Sequence, residues 1–281
     1  MITERAYAKI NLTLNITGKR ADGYHTLDTV MQTVSLYDTV SVVKRSDINV
    51  TCGRIPGKGN IAYKAAEAFF AHVGLTGGAG ITINKVIPVR GGFGGGSADA
   101  AAVLRGLNRL YKTGLSNKTL REIALTLGAD VPFLIEGGTC LCTGIGEIIE
   151  PLKISDAAKS AAYCVCASGA GASTVRMFGE IDKHNITVSD SSEMLKSLAV
   201  NDVSGIASSL HNDFMPACRN LFPSVTTLEA ELTGNGALGT SLTGSGSGVF
   251  GVFDSYEKAE KAAQSIKKHA FARAAVPYHA G

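Results

Sequence analysis

The densest run of residues able to do chemistry is Pro-Val-Arg-Gly-Gly-Phe-Gly-Gly-Gly-Ser-Ala-Asp at 88–99. Five of the seven residues from 91 to 97 are glycine. Such a loop can take positive φ and turn several N–H groups toward one point. The alanine-rich stretch 97–110 predicts a helix, whose start adds unpaired N–H groups and the positive end of its dipole. Together they suit a chain of phosphates. This is not a Walker-type loop, because Ser97 stands where that motif has lysine. It is not the dinucleotide fingerprint either, because Gly92-x-Gly94 is followed by Ser97. Phosphate charge must therefore be met by main-chain dipoles, a metal, or a side chain from elsewhere. Lys9 and Asn11 are candidates: two apart in an alternating run, they project about 7 Å apart from one strand face. Taken alone, that pattern fits a solvated outer face. Asp130, in Leu-Gly-Ala-Asp-Val-Pro at 127–132, taken alone fits an N-cap with Pro132 in the first turn. A second glycine-rich run, Leu-Thr-Gly-Ser-Gly-Ser-Gly-Val-Phe at 242–250, fits a tight hairpin.

The elements that must hold these residues follow from composition and pattern. The chain has 281 residues, 45% hydrophobic and 18% charged, with mean hydropathy +0.14. That excludes intrinsic disorder and suggests two domains. Lys plus Arg number 27 against 24 Asp plus Glu, too even for a dedicated nucleic-acid binder. There are 33 glycines but 7 prolines, which points to tight loops rather than linkers. Charge interrupts the N-terminal residues too often for a signal peptide, and the longest uncharged stretch, 232–253, is too glycine-rich for a membrane span. The expectation is a cytoplasmic chain with neither membrane nor nucleic-acid partner. Cys52, Cys140, Cys142, Cys164, Cys166 and Cys218 are expected to be buried free thiols.

Alternation over 8–16 predicts a strand with Ile10, Leu12, Leu14 and Ile16 on one face and Lys9, Asn11, Thr13 and Asn15 on the other. Further strands are expected at 40–44, 48–52, 81–85, 139–143, 163–167, 238–242 and 248–253. Helices are expected at 60–73, 97–110, 116–127, 224–232 and 255–269, with short ones between 174 and 210. The polar segment 150–160 separates domains 1–153 and 154–270. Without strict βαβ alternation the mixture is α+β.

Four places together resemble the GHMP small-molecule kinases: Ala-Lys-Ile-Asn-Leu at 8–12 with Asp-Gly-Tyr-His at 22–25, the 88–99 loop, 127–132, and Leu-Thr-Gly-Ser-Gly at 242–246. They run in order over most of the chain. The first marks a branch that phosphorylates the 2-hydroxyl of a cytidine-diphosphate-linked methylerythritol in the non-mevalonate route to isoprenoids. The resemblance implies a two-domain GHMP kinase fold. Its N-terminal domain would hold a left-handed β-α-β unit, its C-terminal domain would be ferredoxin-like, and the active site would lie in the cleft. The tail 271–279 would rejoin the N-terminal sheet. ATP would lie on Pro88, Val89, Arg90, Gly91, Gly92, Phe93, Gly94, Gly95, Gly96, Ser97 and Ala98, with Asn60 near the nucleotide. Lys9 and Asp130 match the catalytic pair. Asn11 and His25 match substrate contacts, Tyr24 and Phe178 match aromatics on the two faces of the cytosine, and Thr174 matches a substrate-contacting threonine.

Those roles suit the chemistry. A tertiary alcohol is a poor nucleophile, and a carboxylate against it can accept its proton. An ammonium nearby stabilises the developing charge. Mg²⁺ would neutralise the β- and γ-phosphates, with Ser97 a possible ligand. The expected partner is a small molecule carrying cytidine diphosphate, and the chain is expected to be a monomer or weak dimer. Three departures from the family stand out: Arg90 before the Gly-Gly, Ala98 in place of a second serine, and a proline-free segment at 167–173. The rival readings are a homoserine- or mevalonate-type kinase and a non-catalytic nucleotide-binding module.

Overall fold

The computed structural model describes residues 1–53, 55–169, 171, 173–183, 189–200 and 202–279. Ala170 and Ala172, from the proline-free segment, lie outside the described residues. The chain opens with β1 (Ile2–Asn11), β2 (Thr13–Lys19), β3 (His25–Arg45), β4 (Asn49–Cys52), α1 (Ile61–Val73) and β5 (Gly78–Asn84). There follow α2 (Gly95–Tyr111), α3 (Asn117–Leu125), α4 (Asp130–Glu136), β6 (Thr139–Gly144), β7 (Ile148–Pro151) and α5 (Asp156–Ser160). Next come β8 (Ala162–Ala167), α6 (Thr174–Ile181), α7 (Ser192–Ala199), α8 (Val203–Ser208), β9 (His211–Asn212) and α9 (Met215–Leu221). The chain closes with α10 (Pro223–Gly234), β10 (Gly239–Leu242), β11 (Val249–Phe253), α11 (Tyr256–Ile266) and β12 (Phe271–Ala275). Among the described residues no helix is long and apolar enough to cross a membrane.

The chain divides into two compact units, neither of them contiguous in sequence. The larger comprises Lys9–Ser35, Pro88–Phe93 and Gly138–Gly281. In it the first half of β3 pairs with β2 and β6, β6 pairs with β7, and β2 pairs in parallel with β9. A second sheet has the order β10-β11-β8-β12, antiparallel at each step. With helices between β8 and β10 and α11 between β11 and β12, this is the expected β-α-β-β-α-β, ferredoxin-like arrangement. Its core combines Cys164 and Cys166 of β8, Leu228 and Leu232 of α10, and Ala262 and Ile266 of α11. All six cysteines are free and buried, as expected. The hydrogen bond to Cys164 and burial push the Cys166 thiol far up, out of the reactive range.

Three details differ from the sequence reading. The strand expected over 8–16 is interrupted at Leu12, whose N–H donates to Val30 O (2.8 Å) between β1 and β2. Strand β3 runs unbroken from 25 to 45, although only 40–44 has a clear strand signature. Residues 29–34 are buried on both faces, which erases the alternation that identifies a half-buried strand. The tail does not simply rejoin the N-terminal sheet. Phe271–Ala275 pairs with β8, and only the next residues reach β3, through Val276 O to Ser35 N (2.9 Å) and Tyr278 N to Thr33 O (2.8 Å).

The other unit comprises Met1–Ala8, Leu36–Ile87 and Gly94–Gly137. Here the second half of β3 pairs antiparallel with β5, and β5 pairs in parallel with β4. Small residues let α2 be buried along most of its length: Ala98, Ala100, Ala101, Ala102, Val103, Leu104 and Leu107 are all inside. An ionic cluster joins three elements at the base of α2. Asp38 of β3 accepts from Val86 N and from Ile87 N (2.8 Å) and pairs with Lys85 Nζ (2.5 Å); Lys85 also reaches Asp99 of α2 (2.7 Å). The second oxygen of Asp99 is buried and finds no partner among the described residues.

Burial pushes the Asp99 carboxyl up to about 7, against the pull of Lys85. A carboxyl whose folded-state pKa is raised binds its proton more tightly in the folded chain. Its stabilising contribution is full below about pH 4 and is lost as pH rises toward 7. Asp99→Asn, which mimics the neutral acid, should therefore have a Tm that gains on the parent chain between pH 5 and pH 8. Thermal melts across that range test this; a constant or shrinking difference would mean that Lys85 holds Asp99 ionised.

Candidate active site

In the larger unit the polar face of β1 and β2 is not solvated. Lys9, Asn11, Thr13 and Asn15 are all buried, Lys9 to 2% exposure. Lys9 Nζ donates to Asn11 Oδ1 at 2.6 Å. The same oxygen accepts from Gly244 N at 2.8 Å, while Asn11 Nδ2 donates to Thr29 Oγ1 at 2.9 Å. Thr29 passes its own proton to Thr13 O (2.5 Å), so each polar atom of the Asn11 amide faces a defined partner. The ammonium is thus held in place by an amide oxygen that a main-chain N–H also fixes.

The Gly244 turn belongs to the second glycine-rich run, and that run is zipped to residues 88–93. Gly248 N donates to Gly91 O (3.0 Å) and Thr243 Oγ1 to Gly92 O (3.1 Å). Lys9 N donates to Phe93 O (3.0 Å), which ties β1 to the same loop. The backbones approach too closely for side chains: a Cβ at Gly92, where φ is 77°, would lie 2.0 Å from Thr243 O, and one at Gly248 would lie 2.1 Å from Gly91 O. The Phe93 side chain is buried. Arg90 is exposed and has φ 61°, and its carbonyl accepts from Gly171 N (3.2 Å). Thr174, the first residue of α6, lies with its hydroxyl 3.3 Å from Ser245 Oγ.

Phe178 stacks on His25 (centroids 4.5 Å apart, planes at 12°) and meets Phe214 edge-on. Tyr24 is 61% exposed in the turn before β3. His25 Nε2 bonds Asp182 (2.8 Å), and Lys19 reaches the other oxygen of the same carboxylate (2.7 Å). Lys19 and His25 hold the Asp182 carboxyl below its usual range.

The smaller unit carries the remaining predicted residues. Helix α2 starts after Gly94 (φ 69°), and no described side chain caps it. Gly95, Gly96 and Ser97 form its first turn, with Gly96 exposed and Ala98 buried. Asn60 is the N-cap of α1: its Oδ1 accepts from Ala62 N (2.9 Å) and its Nδ2 donates to Ile55 O (2.7 Å). That leaves one donor and one lone pair for a ligand. Asp130 is not the N-cap of α4 but its first helical residue; Ala129 is the cap, and Pro132 lies in the first turn. Lys9 falls in one unit and Asp130 in the other. Sequence reasoning missed Thr29, Asp182, Asn212 and Ser245. Ser245 lies inside a flagged motif, while the other three are isolated polar residues with no motif signal.

The model described as GHMP kinases N terminal domain matches residues 60–138, and that described as GHMP kinases C terminal matches 194–272. A 4-diphosphocytidyl-2-C-methyl-D-erythritol kinase of Clostridium botulinum (strain Loch Maree / Type A3) is 38% identical over 269 residues, covering 94% of this chain and 95% of that one. The kinase of the same name from Desulfitobacterium hafniense (strain Y51) is 41% identical over 261 residues, covering 92% and 89%. Among solved structures, a 4-(cytidine 5'-diphospho)-2C-methyl-D-erythritol kinase superposes with TM-score 0.80 and 28% identity over 99% of this chain and 100% of that one. The Methanococcus jannaschii mevalonate kinase has TM-score 0.74 at 12% identity over 99% and 98%, a likeness of fold alone.

The close approach at Gly92 can be tested on its own. Gly92→Ala adds a clash to an unfavourable φ and should lower stability by more than the roughly 1–2 kcal/mol of a left-handed residue alone. Gly23→Ala, at φ 89° with nothing within 4 Å of the new Cβ, should show only that smaller loss. Denaturant midpoints compare the two, and equal losses would mean that the turn yields freely.

Proposed function

The chain belongs to the 4-diphosphocytidyl-2-C-methyl-D-erythritol kinases of the GHMP family, and on that premise we propose that Lys9 and Asp130 transfer the γ-phosphate of ATP to the 2-hydroxyl of 4-diphosphocytidyl-2-C-methyl-D-erythritol. The products are the 2-phosphate and ADP, a step of the methylerythritol phosphate route to isoprenoids. The observation that carries the reading is the buried Lys9 ammonium, fixed by Asn11 beside a turn zipped to residues 88–93. In this reading 1–153 is the ATP-binding domain and 154–270 the second kinase domain.

Asp130 takes the proton of the tertiary hydroxyl as its oxygen attacks phosphorus. Lys9 stabilises the charge that develops on the transferring group. Asn11 orients Lys9 and meets the substrate, with Thr174 nearby. The uncapped start of α2 suits the phosphates of ATP, and the spare donor and lone pair of Asn60 suit the nucleoside. Tyr24 and Phe178 offer the cytosine its flat faces, and His25 offers it a hydrogen-bonding edge. Mg²⁺ fits as an ion carried by the nucleotide: among the described residues no group of three or more His, Cys, Asp or Glu could hold a metal, and magnesium commonly binds through phosphates with few protein ligands. Ser97 is the residue that would reach it, and the ion would neutralise the β- and γ-phosphates. The chain acts in the cytoplasm, as a monomer or weak dimer, on a small molecule and not on nucleic acid.

A coupled ADP-release assay should show turnover with the cytidyl diphosphate substrate and little with bare methylerythritol phosphate. Turnover of homoserine or mevalonate instead, or none at all, would favour the rival kinases or a non-catalytic module. Asp130→Asn should lower kcat about 10²–10⁴-fold and Lys9→Met about 10²–10³-fold, with ATP affinity changed far less. Arg90→Ala, measured alongside, should leave kcat near normal; the opposite pattern reverses the roles of the two cations.

Because Tyr24 is exposed, its truncation should touch binding and not packing. Tyr24→Ala should raise KM for the cytidyl substrate about 5- to 150-fold, the range of a lost stacking face, without moving Tm or KM for ATP. Phe178→Ala should raise the same KM and also lower Tm, since Phe178 packs on Phe214. An unchanged substrate KM in Tyr24→Ala would remove it from the base site.

A further inference from the structure

Asn212 belongs to β9, a strand of two residues without a sequence signature. Main-chain bonds hold it beside β2: His211 N donates to Leu12 O (3.2 Å) and Asp213 N to Leu14 O (3.0 Å). Asp213 Oδ2 in turn accepts from Ile16 N (2.6 Å). Asn212 is buried, and its amide makes three hydrogen bonds. Oδ1 accepts from Phe214 N (2.9 Å), which orients the group. Nδ2 then faces the glycine-rich turn and donates to Leu242 O (2.9 Å) and Gly244 O (3.0 Å).

Gly244 is therefore held from both sides. Its C=O is taken by Asn212 and its N–H by Asn11 Oδ1, the atom that also receives Lys9 Nζ. The fit is close: with φ 55°, a Cβ at Gly244 would lie 3.2 Å from Lys9 Nζ and 3.0 Å from Gly92 O. Two buried asparagines grip one glycine through its two flanking peptide groups, and the nearer of them sets the ammonium.

We propose that Asn212 is a positioning residue for phosphoryl transfer, fixing Lys9 through the Gly244 residue and Asn11. It touches no reacting atom. The proposal rests on Lys9 being the catalytic lysine, and its test separates the two. Asn212→Asp keeps the acceptor for Phe214 N but turns an oxygen toward two carbonyls, so the turn must shift. Misplacement by about 1 Å can lower a rate by up to about 10²-fold. Asn212→Asp and Asn212→Ala should therefore lower kcat about ten- to a hundredfold, with KM for ATP and for the cytidyl substrate changed by less than about threefold.

The decisive measurement is the double variant. If Asn212 acts through Lys9, Asn212→Asp should have almost no further effect on kcat in the Lys9→Met background. Gly244→Ala, which disturbs the same path from its middle, should behave alike. Equal losses in both backgrounds, a change confined to KM, or an unchanged kcat would overturn the proposal. So would loss of the fold in both Asn212 variants, which would assign the residue to structure alone. Full turnover by Lys9→Met by itself would instead remove the catalytic role of Lys9, a failure of the premise that the single variant reveals first.

Discussion

An ammonium taken out of water has to be met by oxygens that cannot move away. An unpaired buried charge costs several kcal/mol, so the groups around it are constrained as strictly as the charge itself. For Lys9 that requirement organises the larger unit. It explains why a strand face of Lys9, Asn11, Thr13 and Asn15 lies inside, and why each has a buried polar partner. Thr13 bonds Ser191 (2.6 Å) and Val30 N (2.9 Å), and Asn15 bonds Ser189 (2.7 Å) and Asp28 O (3.1 Å). The hydroxyls come from the approach to α7, far along the chain. A face that carried only Lys9 and Asn11 would leave its neighbours unsatisfied.

The same requirement explains what could and could not be read from sequence. Alternation over 8–16 was legible because one face is apolar, but it cannot distinguish a polar face in water from one inside a network. That difference depends on Ser189, Ser191 and Thr29, which no spacing links to Lys9. The two glycine runs were legible as tight turns. Their joining was not, because it is made by main-chain bonds between segments about 150 residues apart. The stacking of Phe178 on His25 was hidden for a similar reason: only three-dimensional packing identifies the ring it meets. The ferredoxin-like sheet was anticipated from the resemblance. The long β3 was not, because burial on both faces removes the period that marks a strand.

Fold and chemistry separate cleanly here. The likeness to mevalonate kinase extends over nearly the whole chain at an identity too low to carry substrate preference. This chain zips its two glycine turns together and starts a helix after Gly94. In this chain the turn before β3 leaves Tyr24 exposed, Asp182 holds the ring of His25, and Phe178 of α6 stacks on that ring. On the proposed reading these groups choose the alcohol, while the Gly244 turn that fixes Asn11 is a separate set of bonds.

Two lysines, Lys9 buried and Lys85 partly so, show how one charge can serve different ends. Lys85 lies three residues before the glycine-rich loop and is the cation that sequence proximity would nominate for phosphate. Its ammonium is matched by two carboxylates, Asp38 and Asp99, in a cluster that already carries an excess of carboxyl groups. An anion brought to that cluster would meet repulsion, so Lys85 belongs to the support of α2. Arg90, inside the loop, has its side chain exposed, where water screens its charge. The structure uses the Arg90 backbone instead, at the Gly171 contact. Lys9 is gripped by an amide oxygen that also accepts from Gly244 N, an arrangement in which Asn11 sets the position of the charge without cancelling it. In the proposed reaction the cation needs a fixed position, and the bonds of Asn11 to Lys9 Nζ and to Gly244 N supply one.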